Sequence, residues 1–482
     1  MALIAVVVLP LLSALLCWMP PFRRASWPII VVCLFADFVF ALVVAGEVIA
    51  HSRVIGIPRW IEADALSALV LVLVSFVCAM AALFAGDYMR HDREQIQRSW
   101  WFYCDLSLFA FALIVTPAMT DPNLVWVGVE LITLFAILLV AFERTASALE
   151  AAWKYSMLTM IGAPISLLGF LVLFWAYRSS GAQAPETWLT LASQATSMPP
   201  ALLRLAFLLV FVGFGAKVGL APMHTWLPDA HSQAPSPACA VLSGVKTSVP
   251  LYAILRLLSI LLASPTARMG RWMVVIGLLS VGIAAFLLLQ VREYKRMFAY
   301  STVEHMGIIL TAAGLATHAS DFGAVSQMLN HSITKSLCFY VAGTVLVTLE
   351  TREIKSIRGL LRISPFLGAT LLLCSLAIAG APPFPVFLSE YSILSAGVRG
   401  GHGFVVAILA SLIVLAFIGI MLQVNRMTFG RGEVTHPQLV HVPFTCRIAV
   451  IGAALPVVVF GIYIPGPMHS LLQLAAQQLG GH

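Results

Sequence analysis

The sequence predicts an all-α integral membrane protein of about fourteen transmembrane helices, arranged as two inverted repeats of about five helices each with discontinuous helices in both. Three observations predict it. Hydrophobic residues make up 60% of the 482 residues and charged ones only 10%, against about a quarter charged in a soluble domain. Apolar runs of span length recur along the whole chain. Two of those runs are interrupted by Gly and Pro beside an ionisable side chain.

A span needs about 20 mostly apolar residues. Such segments fall at roughly 2–20, 28–50, 63–86, 102–120, 123–142, 155–177, 201–222, 237–263, 272–290, 299–317, 323–348, 366–396, 403–424 and 447–464. A cleaved leader would be followed by a polar mature chain, so the first run is expected to remain as a span. The segment after Pro467 is short and weakly amphipathic, and the connections near 87–101, 178–200, 349–365 and 425–446 are modest loops. Loops after odd-numbered spans hold roughly twice as many Lys and Arg as loops after even-numbered ones, which include Arg256 and Arg268; the positive-inside rule then puts both termini on the non-cytoplasmic side.

Composition excludes several classes. The net charge of +7 comes from loop arginines, with no basic run and no interleaved aromatics to suggest nucleic acid. The eight cysteines, from Cys17 to Cys446, contain no CxxC pair, which argues against iron–sulfur, zinc and disulfide frameworks. Neither a dinucleotide fingerprint nor a Walker loop is present. No cofactor is expected, and the chain is not expected to be catalytic by itself: electrons, if they move, move in a partner.

The informative residues are the charges at bilayer depth: Glu130, Lys217, Lys246, Glu304, Lys335 and Glu390. Each costs roughly 2.5–3.5 kcal/mol on insertion scales. One such residue can be a snorkelling charge or half of a structural ion pair, the reading that suits Lys154 at a span entrance. Six, alternating in sign over spans 5, 7, 8, 10, 11 and 12, fit a proton relay, in which desolvation and movable partners set each group's proton affinity. Lys217 is followed by Gly219, Pro222 and Pro228, and Glu390 is preceded by "GAPPFP", residues 380–385. Proline removes a backbone donor, and in hydrocarbon the freed carbonyls are tolerated only where the backbone is buried in protein or lines a cavity. Broken helices carrying ionisable groups mark an ion path.

The breaks also define the organisation. Spans 7 and 12 are each the fourth helix of a set, 4–8 and 9–13, and Glu130 and Glu304 each lie in the second. An odd number of spans inverts the second set relative to the first. The expected units are therefore N-terminal helices 1–100, a first channel repeat 101–265, an inverted repeat 266–425, and a last helix and tail 426–482. Histidines lie between the carriers. His331 and Lys335 are four apart and share a helix face, His305 follows Glu304, and His224 lies just past Pro222. Histidine passes protons near neutrality. His231, near Asp229, is expected to be a satisfied structural donor. A metal site is not expected, because His224 and His231 are not at a ligand spacing.

These stretches resemble a known family. "KVGLAPMHTWLPDAHSQAPSP" is similar to the signature of the antiporter-like subunits of respiratory complex I and membrane-bound hydrogenases. "EADALSAL", "VWVGVELITL", "YSTVEHMGI", "QMLNHSITKS" and "GAPPFPVFLSEY" match it in the same order. Within the family the sequence most resembles hydrogenase-4 component F, related to NADH-quinone oxidoreductase subunits M and N. The resemblance implies that Glu130 tunes Lys217, that His305, His331 and Lys335 form the axis between half-channels, and that Glu390 exchanges with the outer side. The family's span 8 lysine would fall at Ser248, whereas this sequence has Lys246. Either the carrier has moved by half a turn or a helix distortion restores its position. Glu304 is a second departure and adds a carrier.

The expected function is proton translocation in a bacterial cytoplasmic (inner) membrane as one subunit of a redox-driven complex of hydrogenase-4, formate hydrogenlyase or complex I type. Its expected relay is Glu130, Lys217, His224, Lys246, Glu304, His305, His331, Lys335 and Glu390. Expected partners are the lipid bilayer, other antiporter-like membrane subunits and an iron–sulfur, hydrogenase-like peripheral arm. The alternatives are a subunit of an Mrp-type sodium/proton antiporter or of an inorganic-carbon uptake complex.

Overall fold

The computed structural model describes residues 1–91, 93–264, 269–430 and 442–480. Arg268 and Arg431, which entered the charge count above, lie outside the described residues. The chain begins with helices α1 (Ala2–Trp18) and α2 (Ser26–His51), a short antiparallel hairpin β1 (Val54–Ile57) and β2 (Ile61–Ala63), and α3 (Ala65–Tyr88). Next come α4 (Arg93–Ala118), α5 (Pro122–Val140), α6 (Ala146–Ser179), α7 (Trp188–Gln194), α8 (Pro200–Val218), α9 (Trp226–Gln233), α10 (Ser236–Val241) and α11 (Ser248–Leu262). The second half holds α12 (Gly270–Leu288), α13 (Tyr294–Leu315), α14 (His318–Leu349), α15 (Leu360–Ile363), α16 (Pro365–Ile378), α17 (Pro385–Arg399), α18 (Gly403–Phe429), α19 (Phe444–Ile462) and α20 (Gly466–Gly480).

Among the described residues, 11 helices are long and apolar enough to cross a membrane. The segments expected at 2–20, 299–317 and 366–396 stand outside that count for separate reasons. The helix α1 has 17 residues, α13 carries too many polar side chains, and the last segment is split into α16 and α17. The all-helical expectation is corrected in one detail, the β hairpin between α2 and α3. It is tied to the connection between α4 and α5 through Thr120, whose hydroxyl donates to the Arg59 carbonyl at 2.6 Å. The C-terminal segment, expected to be short and weakly amphipathic, forms the 15-residue helix α20, which buries Leu471, Leu472, Ala475 and Leu479. Its Gln478 accepts a hydrogen bond from the Leu66 backbone at 3.1 Å, at the start of α3.

Local chemistry sets the helix ends. Asp64 caps α3 by accepting from the Ser67 N–H at 3.1 Å, and Asp121 caps α5 with Pro122 in the first turn. A Thr317–Ser320 capping box opens α14. Without a hydrophobic drive between helices in lipid, close packing comes from small residues. A methyl group at Gly162 of α6 would run into the Gly213 carbonyl of α8, and the pair Gly270 and Gly314 brings α12 onto α13 in the same way. Burial separates inner from outer helices. The central window of α3 is 89% buried, while that of α18 is 22% buried. The helices α3, α4, α10, α11, α13 and α14 are thus the mostly buried ones, and every expected relay residue except Glu130 is buried.

Candidate functional site: a chain of buried amines and imidazoles

The first cluster forms where α8 stops. Gly219 adopts φ +87°, a left-handed conformation that favours glycine, and Pro222 prevents the helix from resuming at once. Lys217 occupies the last turn and is completely buried. Its Nζ donates to Glu130 Oε2 at 3.0 Å and to Thr133 Oγ1 at 2.9 Å, two side chains one turn apart on α5. Glu130 is the accessible member of this pair, with a quarter of its side chain exposed. The carbonyls freed by the break are capped by side chains. The Trp226 indole donates to Ala216 O at 2.8 Å, and Lys246 Nζ donates to Lys217 O at 2.8 Å. The Lys246 ammonium also stands over the rings of Trp226 (4.1 Å) and Tyr155 (4.8 Å), so aromatic faces stabilise a cation that has no carboxylate partner among the described residues.

Lys246 ends a π-helical turn, Leu242–Lys246, inserted between α10 and α11. The distortion left open by the sequence is therefore present, and such turns widen the helix and re-aim the side chains it carries. The same turn meets the second cluster. The carbonyl of Ser243 accepts from His331 Nε2 at 3.1 Å, and the Ser243 hydroxyl shares a 2.6 Å hydrogen bond with Thr302 of α13.

The second cluster lies among α13, α14 and the break between α16 and α17. His331 and His305 stack with ring centroids 5.2 Å apart. His305 Nε2 donates to Ile378 O at 3.0 Å, a carbonyl in the last turn of α16. That bond fixes the tautomer, leaving Nδ1 to accept from Gln327 Nε2 at 3.0 Å. Gln327 Oε1 in turn accepts from Ser389, the residue before Glu390. Asn330 holds the same hydroxyl at 3.1 Å and Pro385 O at 2.7 Å. Gly380, with φ +75°, lies directly against the Glu390 carboxylate. Each break thus carries a positive-φ glycine followed three residues later by proline: Gly219 with Pro222, and Gly380 with Pro383. Lys335 donates to Phe298 O at 2.6 Å and to Ser301 Oγ, both on α13. Glu304 is buried within charge range of Lys335 and Glu390, and its Oε2 has no protein hydrogen-bond partner.

The expected residues are therefore brought together in one respect and kept apart in another. Glu130, Lys217, Lys246, His331, His305 and Glu390 follow one another through bonds, stacked rings or shared backbone. His224 is buried in the first break, but its Nδ1 bonds to no protein atom. His231 departs from the satisfied donor that was expected. It is fully buried between the rings of Trp226 and Phe339, and neither ring nitrogen has a protein partner. Lys154 fits its structural reading, bridging Glu150 (2.7 Å) and Asp229 (3.1 Å) at the surface. Asp229 also accepts from Arg296 at 2.8 Å.

Three kinds of residue escaped the sequence reading. Lys295, assigned to a loop, is wholly buried in the first turn of α13 and donates to Ala234 O at 2.8 Å. Arg256, assigned to an extramembrane loop, lies inside α11. It pairs with Asp64 and donates to Ser67 Oγ at 2.9 Å and Tyr252 Oη at 3.0 Å. Asp37 of α2 and Asp105 of α4 are buried acids at the middle of long apolar helices, and both Asp37 oxygens have no donor. Single acids inside apolar runs were a visible signal for these last two. The neutral links Thr133, Ser243, Gln327 and Ser389 had none.

Comparison with known proteins agrees with this architecture. Residues 120–416 match the family described as NADH:quinone oxidoreductase/Mrp antiporter, TM, and residues 55–98 match NADH-Ubiquinone oxidoreductase (complex I), chain 5 N-terminus. The chain is 34% identical over 411 residues to the hydrogenase-4 component F homolog of Methylacidiphilum infernorum, covering 83% of this chain and 85% of that one. It is 26% identical over 434 residues to NADH-quinone oxidoreductase subunit M of Rickettsia conorii, covering 88% and 84%. Among solved structures, a chain of the membrane-bound sulfane sulfur reductase, an archaeal respiratory membrane complex, superposes with a TM-score of 0.87 at 24% identity, over 99% of this chain and 98% of that one. The buried amines and imidazoles, the two broken helices and the matched segments together make this multi-pass membrane protein a member of the NADH:quinone oxidoreductase/Mrp antiporter transmembrane family.

Proposed function

We propose that the chain translocates protons across a bacterial cytoplasmic membrane as one subunit of a redox-driven complex of hydrogenase-4 or complex I type. The observation that carries this reading is the π turn Leu242–Lys246. At one end its lysine holds the backbone of Lys217, and one helical turn earlier its Ser243 carbonyl holds His331. Two buried clusters, each built at a broken helix, thereby share a single joint.

In this reading Glu130 loads the first half, Lys217 and Lys246 carry charge to the joint, and His331 and His305 pass it to Glu390 beside the second break. Lys335 and Glu304 set the field along that second half, because unit charges interact strongly in a low-dielectric interior. The halves correspond to residues 101–265 and 266–425, entering the membrane in opposite senses, with helices 1–100 and 426–482 around them. About fourteen crossings, counting α1, α13 and the broken pair α16 and α17, would leave both termini on one side, and the Lys and Arg bias of the loops supports the non-cytoplasmic one. The partners are other antiporter-like membrane subunits and an iron–sulfur, hydrogenase-like peripheral arm, which would supply the energy by changing the charge at one end of the chain.

The test is Lys217→Ala in the assembled complex. Loss of proton uptake into membrane vesicles, with the partner's redox activity retained, is expected. Full pumping by the variant would overturn the reading. Transport that needs sodium in the purified assembly would instead favour an Mrp-type antiporter, and unchanged activity of an inorganic-carbon uptake assembly bearing the variant would favour an inert scaffold.

A further inference from the structure

A polar cavity lies where the C-terminal ends of α12 and α18 meet. It measures about 310 Å³ and is lined by Arg292, Lys355, Arg358 and Arg426, with Gln423 and the Leu289–Val291 backbone closing its wall. None of the four cations is in an ion pair among the described residues. The cavity is held together by its own hydrogen bonds. Arg358 Nη1 donates to Arg426 O at 3.3 Å, and Gln423 Nε2 donates to Leu289 O at 3.5 Å. The helix dipole explains Arg426 in the last turn of α18. It does not explain why three more cations, from the α12–α13 loop and the segment after α14, converge on the same space.

Beside the cavity both helices present bare apolar sides. Phe286 of α12 and Ile418 and Leu422 of α18 are exposed, and the helices touch through small residues at Gly282 and Gly419. A ligand suited to this place has a compact anion at one end and hydrocarbon at the other. Basic pockets between transmembrane helices recognise such headgroups. We propose that this cavity binds the phosphodiester headgroup of an anionic phospholipid, with its acyl chains lying along α12 and α18. A free phosphate shares the headgroup's charge but has no use for the apolar sides.

The test uses the full chain, purified and presented with phosphatidylglycerol or phosphatidylcholine, and counts retained lipid by native mass spectrometry. Arg292→Gln with Lys355→Gln is expected to weaken phosphatidylglycerol retention roughly tenfold or more, since each basic side chain near the surface contributes to anionic-lipid attraction. Arg24→Gln with Arg144→Gln, removing the same charge from exposed positions elsewhere, is expected to leave retention unchanged. Arg358→Lys with Arg426→Lys keeps the charge and should keep the lipid, which guards against a variant that merely misfolds. Equal losses in the pocket and control pairs would overturn the proposal. So would equal retention of phosphatidylcholine, or displacement of the lipid by millimolar inorganic phosphate.

Discussion

Lys246→Met tests the joint between the two clusters, because folding and transport are expected to respond differently. The substitution removes a charged hydrogen bond to Lys217 O at 2.8 Å, which contributes about 1.5–3 kcal/mol. It also removes cation–π contacts at 4.1 and 4.8 Å, about 0.5–2 kcal/mol each. Against these losses, an ammonium held out of water carries a penalty of several kcal/mol even after relaxation. Methionine has a similar length and no such penalty. The terms nearly cancel, so the folded state should shift by no more than about 2 kcal/mol in either direction. Proton transfer has no such compensation, because the thioether cannot carry a proton. Pumping should fall by about a hundredfold or more, within the range ascribed to positioned proton-transfer groups. The assay pairs dye-reported acidification of membrane vesicles with the melting temperature of the purified complex. Lys154→Met, at an exposed ion pair, is the control. A folded Lys246→Met complex that pumps like the unaltered one would refute the reasoning, as would a pumping loss no larger than the loss of folded protein.

Three further outcomes follow from particular contacts. Thr133→Val leaves Lys217 bonded to Glu130 alone; it should cost about 1 kcal/mol of stability and slow pumping less than Lys217→Ala in the same vesicles. Gly380→Ala meets both a left-handed backbone and the Glu390 carboxylate, so melting temperature and pumping should both fall. Gly401→Ala, also at positive φ (+79°) but facing open space, should show only the backbone cost of about 1–2 kcal/mol. Glu186, in the connection before α7, has its pKa pushed up to about 7 by burial, with the nearby Asp121 charge adding to it. The folded protein therefore holds this proton more tightly than the unfolded chain. The associated stability is complete below the unfolded carboxyl's pKa and is lost as pH rises through about 7. Glu186→Gln should match the unaltered protein near pH 4 and be more stable near pH 8, each tenfold difference in proton affinity between folded and unfolded chain being worth about 1.4 kcal/mol. Equal melting curves at the higher pH would show that the proton is not held.

Much of the scaffold and part of the site were legible in the sequence. Helix positions followed from apolar runs, and both breaks followed from glycine and proline beside Lys217 and Glu390. Charged carriers announced themselves because lipid makes them costly. The hairpin and α20 did not, since a strand pair of Val54–Ile57 with Ile61–Ala63 and a half-apolar C-terminal helix gain their order from packing against neighbours. Lys295 and Arg256 were misplaced for different reasons. Lys295 lies in the first turn of α13, ahead of the apolar run at 299–317, so a hydropathy boundary assigns it to water while the fold buries it. Arg256 lies inside the apolar run 237–263 and was counted with a loop on its charge alone, whereas Asp64, Ser67 and Tyr252 satisfy it within the bundle. The links between carriers were the least legible. Gln327 and Ser389 are ordinary neutral residues in sequence. Only the crossing of α14 with α17 makes them the bond path between His305 and the residue beside Glu390.

The bonding pattern also constrains how charge can pass the joint. Of the four fully buried lysines, only Lys217 has a carboxylate partner among the described residues; Lys246 and Lys335 donate to backbone carbonyls of other helices, and Lys295 to that of Ala234 between α9 and α10. A carbonyl can orient an ammonium but cannot take its proton. Transfer between Lys217 and Lys246 therefore cannot proceed through the bond that joins them, and it requires a second route past the Trp226 and Tyr155 rings. What the bond does supply is coupling. If Glu130 parts from Lys217, the positive charge left behind is no longer neutralised one residue's length from the Lys246 ammonium, and at low dielectric that repulsion is large. Opening one surface-accessible ion pair would thus bias the next amine without any change in helix packing. This predicts that Glu130→Gln, which leaves every buried amine in place, impairs pumping nearly as much as Lys217→Ala. A Glu130→Gln complex with unimpaired pumping would separate the ion pair from the relay and leave the joint without its trigger.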